Sequence, residues 1–114
     1  TPFRRLLARD PDLPAIGAHM GSLEYGAFGE LLADHPGIYM DTAFSFLPQL
    51  GSMFDLGNDF LETNRERILY GSDFPNILFP REDETDTLLG LDLSQSFYDA
   101  VFRDNGLRLI RECS

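Results

Sequence analysis

An α/β fold with parallel strands is the class this sequence predicts, and three observations predict it. Short apolar runs alternate with amphipathic stretches along the 114 residues. Each apolar run is bounded by Pro, Gly or charge, and the ends of successive runs stand about one strand-plus-helix unit apart. His19 and Asp41 are separated by 22 positions, Asp41 and Asp73 by 32.

Taken in order, the first strand is expected over 15–20, after Pro14. A helix follows in which Leu23, Ala27, Phe28, Leu31 and Leu32 share one face at three-to-four spacing, stopped by Pro36-Gly37. The second strand is expected over 38–43. Ser52 is then read as the cap of a helix burying Met53, Leu56, Phe60 and Leu61, with Asp55 completing a capping box. The third strand is expected over 68–73, followed by a helix over 81–89 whose first turn is acidic (Glu82, Asp83, Glu84), favourable against the helix dipole. Ser94 caps a last helix carrying Phe97, Val101 and Phe102, and 105–110 adds a further turn or two. The phenylalanines at 44, 46, 54, 60, 97 and 102 read as core, and Glu82-Asp83-Glu84 as an exposed helix start.

Composition narrows the function classes. Nine basic against nineteen acidic residues give a net charge of −10 and a pI near 4.3, the wrong sign for gripping nucleic acid or an anionic membrane. With no apolar run long enough to span a bilayer and no signal-peptide core in TPFRRLLARDPDLP, a soluble chain is expected. Cys113 is the single cysteine; it has no intrachain disulfide partner, and a reducing cytoplasm is the expected setting.

Parallel strands of α/β folds gather their C-terminal ends at the functional face. His19, Asp41 and Asp73 stand there. An ionisable group ending a buried strand pairs, binds metal or faces a wet cleft, and imidazole with carboxylate suits zinc. Each also has a plain structural reading: a satisfied histidine for His19, a turn-forming aspartate for Asp73, and for Asp41 a cap on backbone amides, which is the favoured one. His35 reads as solvated at a helix end.

Four segments together carry a resemblance: Gly17-Ala18-His19-Met20-Gly21, His35-Pro36-Gly37-Ile38-Tyr39-Met40-Asp41-Thr42, Arg67-Ile68-Leu69-Tyr70-Gly71-Ser72-Asp73-Phe74-Pro75 and Asn105-Gly106-Leu107-Arg108-Leu109. Over essentially its whole length the chain resembles the C-terminal part of the amidohydrolase-2 family of metal-dependent hydrolases, which includes the aminocarboxymuconate-semialdehyde decarboxylase-like enzymes. The resemblance implies a partial TIM (β/α)8 barrel: a complete one takes about 250 residues, and 1–114 would be a single segment supplying strands six to eight and the C-terminal helices. It implies that His19 acts in catalysis or metal binding, that Asp73 ligates a divalent metal, zinc by expectation, and that Asp73 handles the proton of the metal's water. Asp41 receives no metal role. The family's H-x-H pair on strand one and its strand-five histidine have no counterpart among the two histidines present. Ser22 and Gly106 stand where the family often has Gly and usually Ala.

Two functions of different class follow. One is the C-terminal segment of a metal-dependent hydrolase, or a decarboxylase of the same family, acting on a small carbonyl substrate and inactive without the N-terminal barrel half. The other is a non-catalytic binding or assembly module, in which two unpaired strand edges drive association with that half or with a second copy. A doubly wound nucleotide-binding domain is disfavoured, because no glycine-rich phosphate loop follows any strand.

Overall fold

A computed structural model describes residues 2–21, 24–50, 54–72 and 79–112. Its centre is a three-stranded parallel sheet in the order β1 (Ala15–Gly17), β2 (Ile38–Asp41), β3 (Ile68–Leu69). Ala15 pairs with Ile38, Ile16 with Tyr39, Met40 with Ile68 and Asp41 with Leu69. Around it lie α1 (Pro2–Arg9), α2 (Tyr25–Asp34), α3 (Gly57–Thr63), α4 (Arg81–Leu89) and a C-terminal helical run. That run comprises α5 (Gln95–Asp99), a π-helical segment (Ala100–Asp104) and α6 (Asn105–Glu112).

Alternation along the strands splits the sheet into two unlike faces. Ile38, Met40 and Ile68 are buried against Leu31 and Leu32 of α2, Leu61 of α3, Leu88 of α4, and Phe97 and Val101. Burying each such side chain contributes about 1.5–3 kcal/mol. The other face carries Tyr39 and Ile16, the latter 55% exposed. Purely parallel sheets are ordinarily covered on both faces; among the described residues here the Ile16 face is left partly open.

The strands are shorter than the apolar runs. The expected 15–20 strand stops at Gly17, 38–43 stops at Asp41, and the described part of 68–73 is a strand only over Ile68–Leu69. The first stops because Ala18–Gly21 folds into a tight turn with His19 and Met20 in the left-handed region. α2 turns Tyr25, Leu31 and Leu32 inward and leaves Ala27 exposed, against its expected place on the buried face. α3 starts at Gly57, with Leu56 at its N-cap and no side-chain cap. Asp55 therefore precedes the helix and closes no capping box; Ser52 and Met53 lie outside the described residues. Ser94 does cap α5, its Oγ accepting from the Phe97 amide at 3.0 Å. Phe46 and Phe97 are core, whereas Phe102 is 36% exposed, lying against Tyr70 and Tyr98.

Two polar side chains bind the layers. Arg67 Nε donates to the Ile38 carbonyl at 2.7 Å, and its Nη2 to those of Leu32 (3.0 Å) and His35 (2.6 Å). The guanidinium thereby satisfies carbonyls at the C-terminal end of α2 and at the start of β2. Asn105, fully buried, donates from Nδ2 to the carbonyls of Arg65 (2.6 Å) and Ile68 (2.7 Å). The Tyr70 amide donates to the Val101 carbonyl at 3.1 Å. The outer edge of β3 is thus occupied by the C-terminal helical run. Of the two edges expected to be unpaired, that of β3 is taken, and β1 has no strand beyond it among the described residues.

Candidate functional site

The C-terminal ends of the strands share one end of the sheet. Asp41 is the last residue of β2; His19 lies two positions past β1 and Ser72 three past β3. Asp73, the other expected site residue, lies outside the described residues.

His19 is held on several sides. Its backbone (φ 56°, ψ 32°) is left-handed, which costs a non-glycine residue about 1–2 kcal/mol. The bonds it makes offset that cost. Its amide donates to Asp41 Oδ1 at 3.0 Å, and the same oxygen accepts from the Ala43 amide at 3.1 Å. The Ser45 hydroxyl donates to the His19 carbonyl at 3.1 Å. Phe44, also at positive φ (65°), sets its ring edge-on to the imidazole with centroids 5.1 Å apart. Asp41 is therefore a backbone-amide cap, the reading favoured for it from the sequence.

The imidazole contact defines the ring's proton. His19 Nδ1 lies 3.1 Å from the Ala43 carbonyl, and a carbonyl only accepts, so Nδ1 carries hydrogen. In the neutral ring the Nε2 lone pair is then available to a proton or a metal. This is the arrangement by which backbone carbonyls orient metal-binding or basic histidines.

The glycines flanking His19 explain the G-A-H-M-G motif. A Cβ on Gly17 would lie 2.0 Å from Phe28 Cζ, and one on Gly21, itself at φ +73°, 2.5 Å from Phe28 Cβ. The side chain of Phe28 on α2 packs where those substituents would stand, seating the turn on the helix. Across the site, Thr42 Oγ1 accepts from the Gly71 amide at 3.2 Å and faces the Gly71 carbonyl at 3.4 Å. The segment leading to Asp73 therefore runs beside the end of β2. An opening of ≈ 290 Å³ lies next to it, lined by Tyr70, Ser72, Glu82, Thr85 and Asp86.

Glu84 is a residue the sequence reading misplaced. Expected on an exposed acidic helix start, it is 1% exposed. Neither carboxyl oxygen meets a partner at hydrogen-bonding geometry. Burial pushes its carboxyl up to about 7, opposed by the backbone amides of Phe46 and Phe44 and aided by the charge of Asp41. One signal was available: positions 84 and 88 share a helix face, and Leu88 is fully buried. Ala43 and Ser45, whose backbone and hydroxyl hold His19, carried no sequence signal.

As to a metal, the described residues contain no group of three His, Cys, Asp or Glu that could hold an ion. Nε2 of His19 suits one coordination position. The described residues do not by themselves complete a centre that takes three or four protein ligands. Nor is any helix among them long and apolar enough to cross a membrane.

A protein-family model described as amidohydrolase matches residues 2–111. No curated protein matches the chain. Among solved structures, an uncharacterized TIM-barrel protein from Bordetella bronchiseptica superposes with a TM-score of 0.76 at 18% identity, over 96% of this chain and 38% of that one. At that identity the likeness concerns the fold: three parallel strands with their helices match part of a TIM barrel. The chain spans less than two-fifths of the length of that protein.

Proposed function

Because the chain belongs to the amidohydrolase family, whose members generally bind a divalent metal, we propose that it supplies one side of a metal-dependent hydrolase active site for a small carbonyl-containing substrate. The observation that carries this reading is the oriented imidazole of His19, with Nδ1–H engaged by the Ala43 carbonyl and Nε2 left to act. In this reading the three strands are the sixth to eighth of a barrel, and Asp73 joins His19 at the mouth. A divalent ion held there, zinc in this proposal, would supply Lewis acidity toward water near neutral pH. His19 Nε2 would hold or return a proton beside the carbonyl, or bind the ion, and Asp73 would take the proton of the water. Hydrolysis is preferred to decarboxylation as the general chemistry of the family description. The lone Cys113 accords with a cytoplasmic setting.

The open face gives this reading its partner. Pro14, Ala15, Ile16, Tyr39 and Leu109 line an apolar groove of ≈ 410 Å³ beside the unpaired edge of β1. We assign further βα units, those of the N-terminal barrel half, to cover it, with a second copy of this chain as the competing occupant.

The test is turnover of a panel of small amides, esters and keto acids by the assembled, metal-loaded barrel. His19→Asn and Asp73→Asn are each expected to lose about 100-fold or more with circular dichroism unchanged. Wild-type turnover in either folded variant refutes the assignment of that residue.

A further inference from the structure

We propose that Asp41 is a positioning residue for His19, one of its carboxylate oxygens closing a ring of hydrogen bonds that fixes how the imidazole is aimed. The path runs through a single atom. Asp41 Oδ1 accepts from the His19 amide at 3.0 Å and from the Ala43 amide at 3.1 Å, and the Ala43 carbonyl in turn accepts from His19 Nδ1 at 3.1 Å. The backbone of His19 and the residue that receives its ring are thus held by the same oxygen, which sets the span the side chain has to bridge. Capping a strand end needs one amide. This carboxylate instead joins two segments, the turn after β1 and the loop after β2, 24 positions apart.

Both segments carry backbone strain. His19 and Met20 lie at φ 56° and 54°, and Phe44 at 65°, a left-handed conformation that non-glycine residues keep only where the surroundings enforce it. The Asp41 side chain stands between the two, and Gly71 passes beside it: a Cβ there would lie 3.7 Å from Oδ1. The Ser45 hydroxyl and the Phe44 ring also hold His19. Those contacts act on His19 alone, whereas Oδ1 acts on His19 and on Ala43, whose carbonyl orients the ring. Without that oxygen the Ala43 carbonyl turns away, the neutral imidazole distributes its proton over both nitrogens, and Nε2 no longer presents a defined lone pair.

This inference rests on the reading of His19 as the working imidazole, and its test involves no turnover, so the two can fail separately. Imidazole nitrogen shifts are compared in wild type, Asp41→Ala and Asp41→Asn at about pH 8.5, above the ordinary titration range of histidine, with no metal added. His19 is expected in the Nδ1–H form in wild type, as a mixture of tautomers in Asp41→Ala, and in the Nδ1–H form again in Asp41→Asn, whose amide oxygen accepts at the same reach; His35 does not change. Amide hydrogen exchange is the second readout. Asp41→Ala is expected to lose about tenfold or more of the protection at His19 and Ala43 relative to the Ala15 amide, which is bonded to the Gly37 carbonyl at the opposite end of the sheet. Asp41→Asn, accepting as a neutral group, stays within about fivefold of wild type. A ring still wholly Nδ1–H in Asp41→Ala, an equal loss at Ala15, or no restoration by Asn overturns the proposal. Should Asp41→Ala fail to fold, Asp41→Glu takes its place: the added methylene moves the acceptor off the two amides while keeping the charge, and an unchanged ring overturns the proposal. In the wild type, through-hydrogen-bond couplings must connect both amides to the one Asp41 carboxyl, and the absence of either overturns it whatever the variants do.

Discussion

Replacing Glu84 by Gln should remove a specific part of the pH dependence of stability. Burial raises this carboxyl from its ordinary 4.5 to about 7, and each pKa unit corresponds to about 1.4 kcal/mol. Between those two values the folded chain keeps a proton that the unfolded chain has released, so stability falls as pH rises through the window. The loss is absent at pH 4, where both states are protonated, and reaches about 3 kcal/mol by pH 8. Gln cannot ionise, so Glu84→Gln should gain about 3 kcal/mol on wild type between pH 4.5 and 8. Urea unfolding at the two pH values measures it: with a slope near 1.5 kcal/mol/M, the gap between the midpoints of the two proteins changes by about 2 M. All other titrating groups are common to both proteins and cancel in the comparison. Stability curves that stay parallel across this range would refute the reasoning, because Glu84 would then ionise as easily folded as unfolded.

Asn105→Leu removes both Nδ2 bonds to the Arg65 and Ile68 carbonyls and should cost about 3 kcal/mol in a urea melt, since buried acceptors lose their donors. Gly106→Ala should do the reverse. A Cβ there meets nothing within 4 Å, so the helix gains about 1 kcal/mol, read as a rise in Tm.

The parts of the fold legible in the sequence were those set by local chemistry. Pro14, Pro36-Gly37 and the charged stretch before Ile68 marked where strands begin, and Ser94 marked a helix start through its hydroxyl. Where strands end was not legible, because a long-range contact decides it. The apolar run from Ala15 breaks at Ala18 where Asp41, 22 positions on, takes the His19 amide and Phe28 packs on the flanking glycines. The start of α3 was not legible either: Leu56 stands at its N-cap and no side chain caps it. At the site, residue type singled out His19 and Asp41, and the amide-capping role of Asp41 followed from its short side chain. Glu84 was missed because three consecutive acidic residues read as a solvated block, whereas helical phase turns the third inward with Leu88. The clasp on His19 was invisible for a simpler reason: it is built largely from backbone, which no residue type announces.

The C-terminal helical run against β3 has a consequence for assembly. With the Tyr70 amide and the Ile68 carbonyl already engaged by Val101 and Asn105, hydrogen-bonded extension of the sheet can proceed past β1 alone. A module with one sticky side and one blunt side cannot stack head to tail into a fibre. If copies join edge to edge, β1 must meet β1 across a twofold axis, and that pairing consumes the one open sheet edge among the described residues. Self-assembly through the β1 edge therefore terminates at two, whereas closing the proposed barrel, in which strand eight pairs with strand one, requires the C-terminal run to leave the edge of β3.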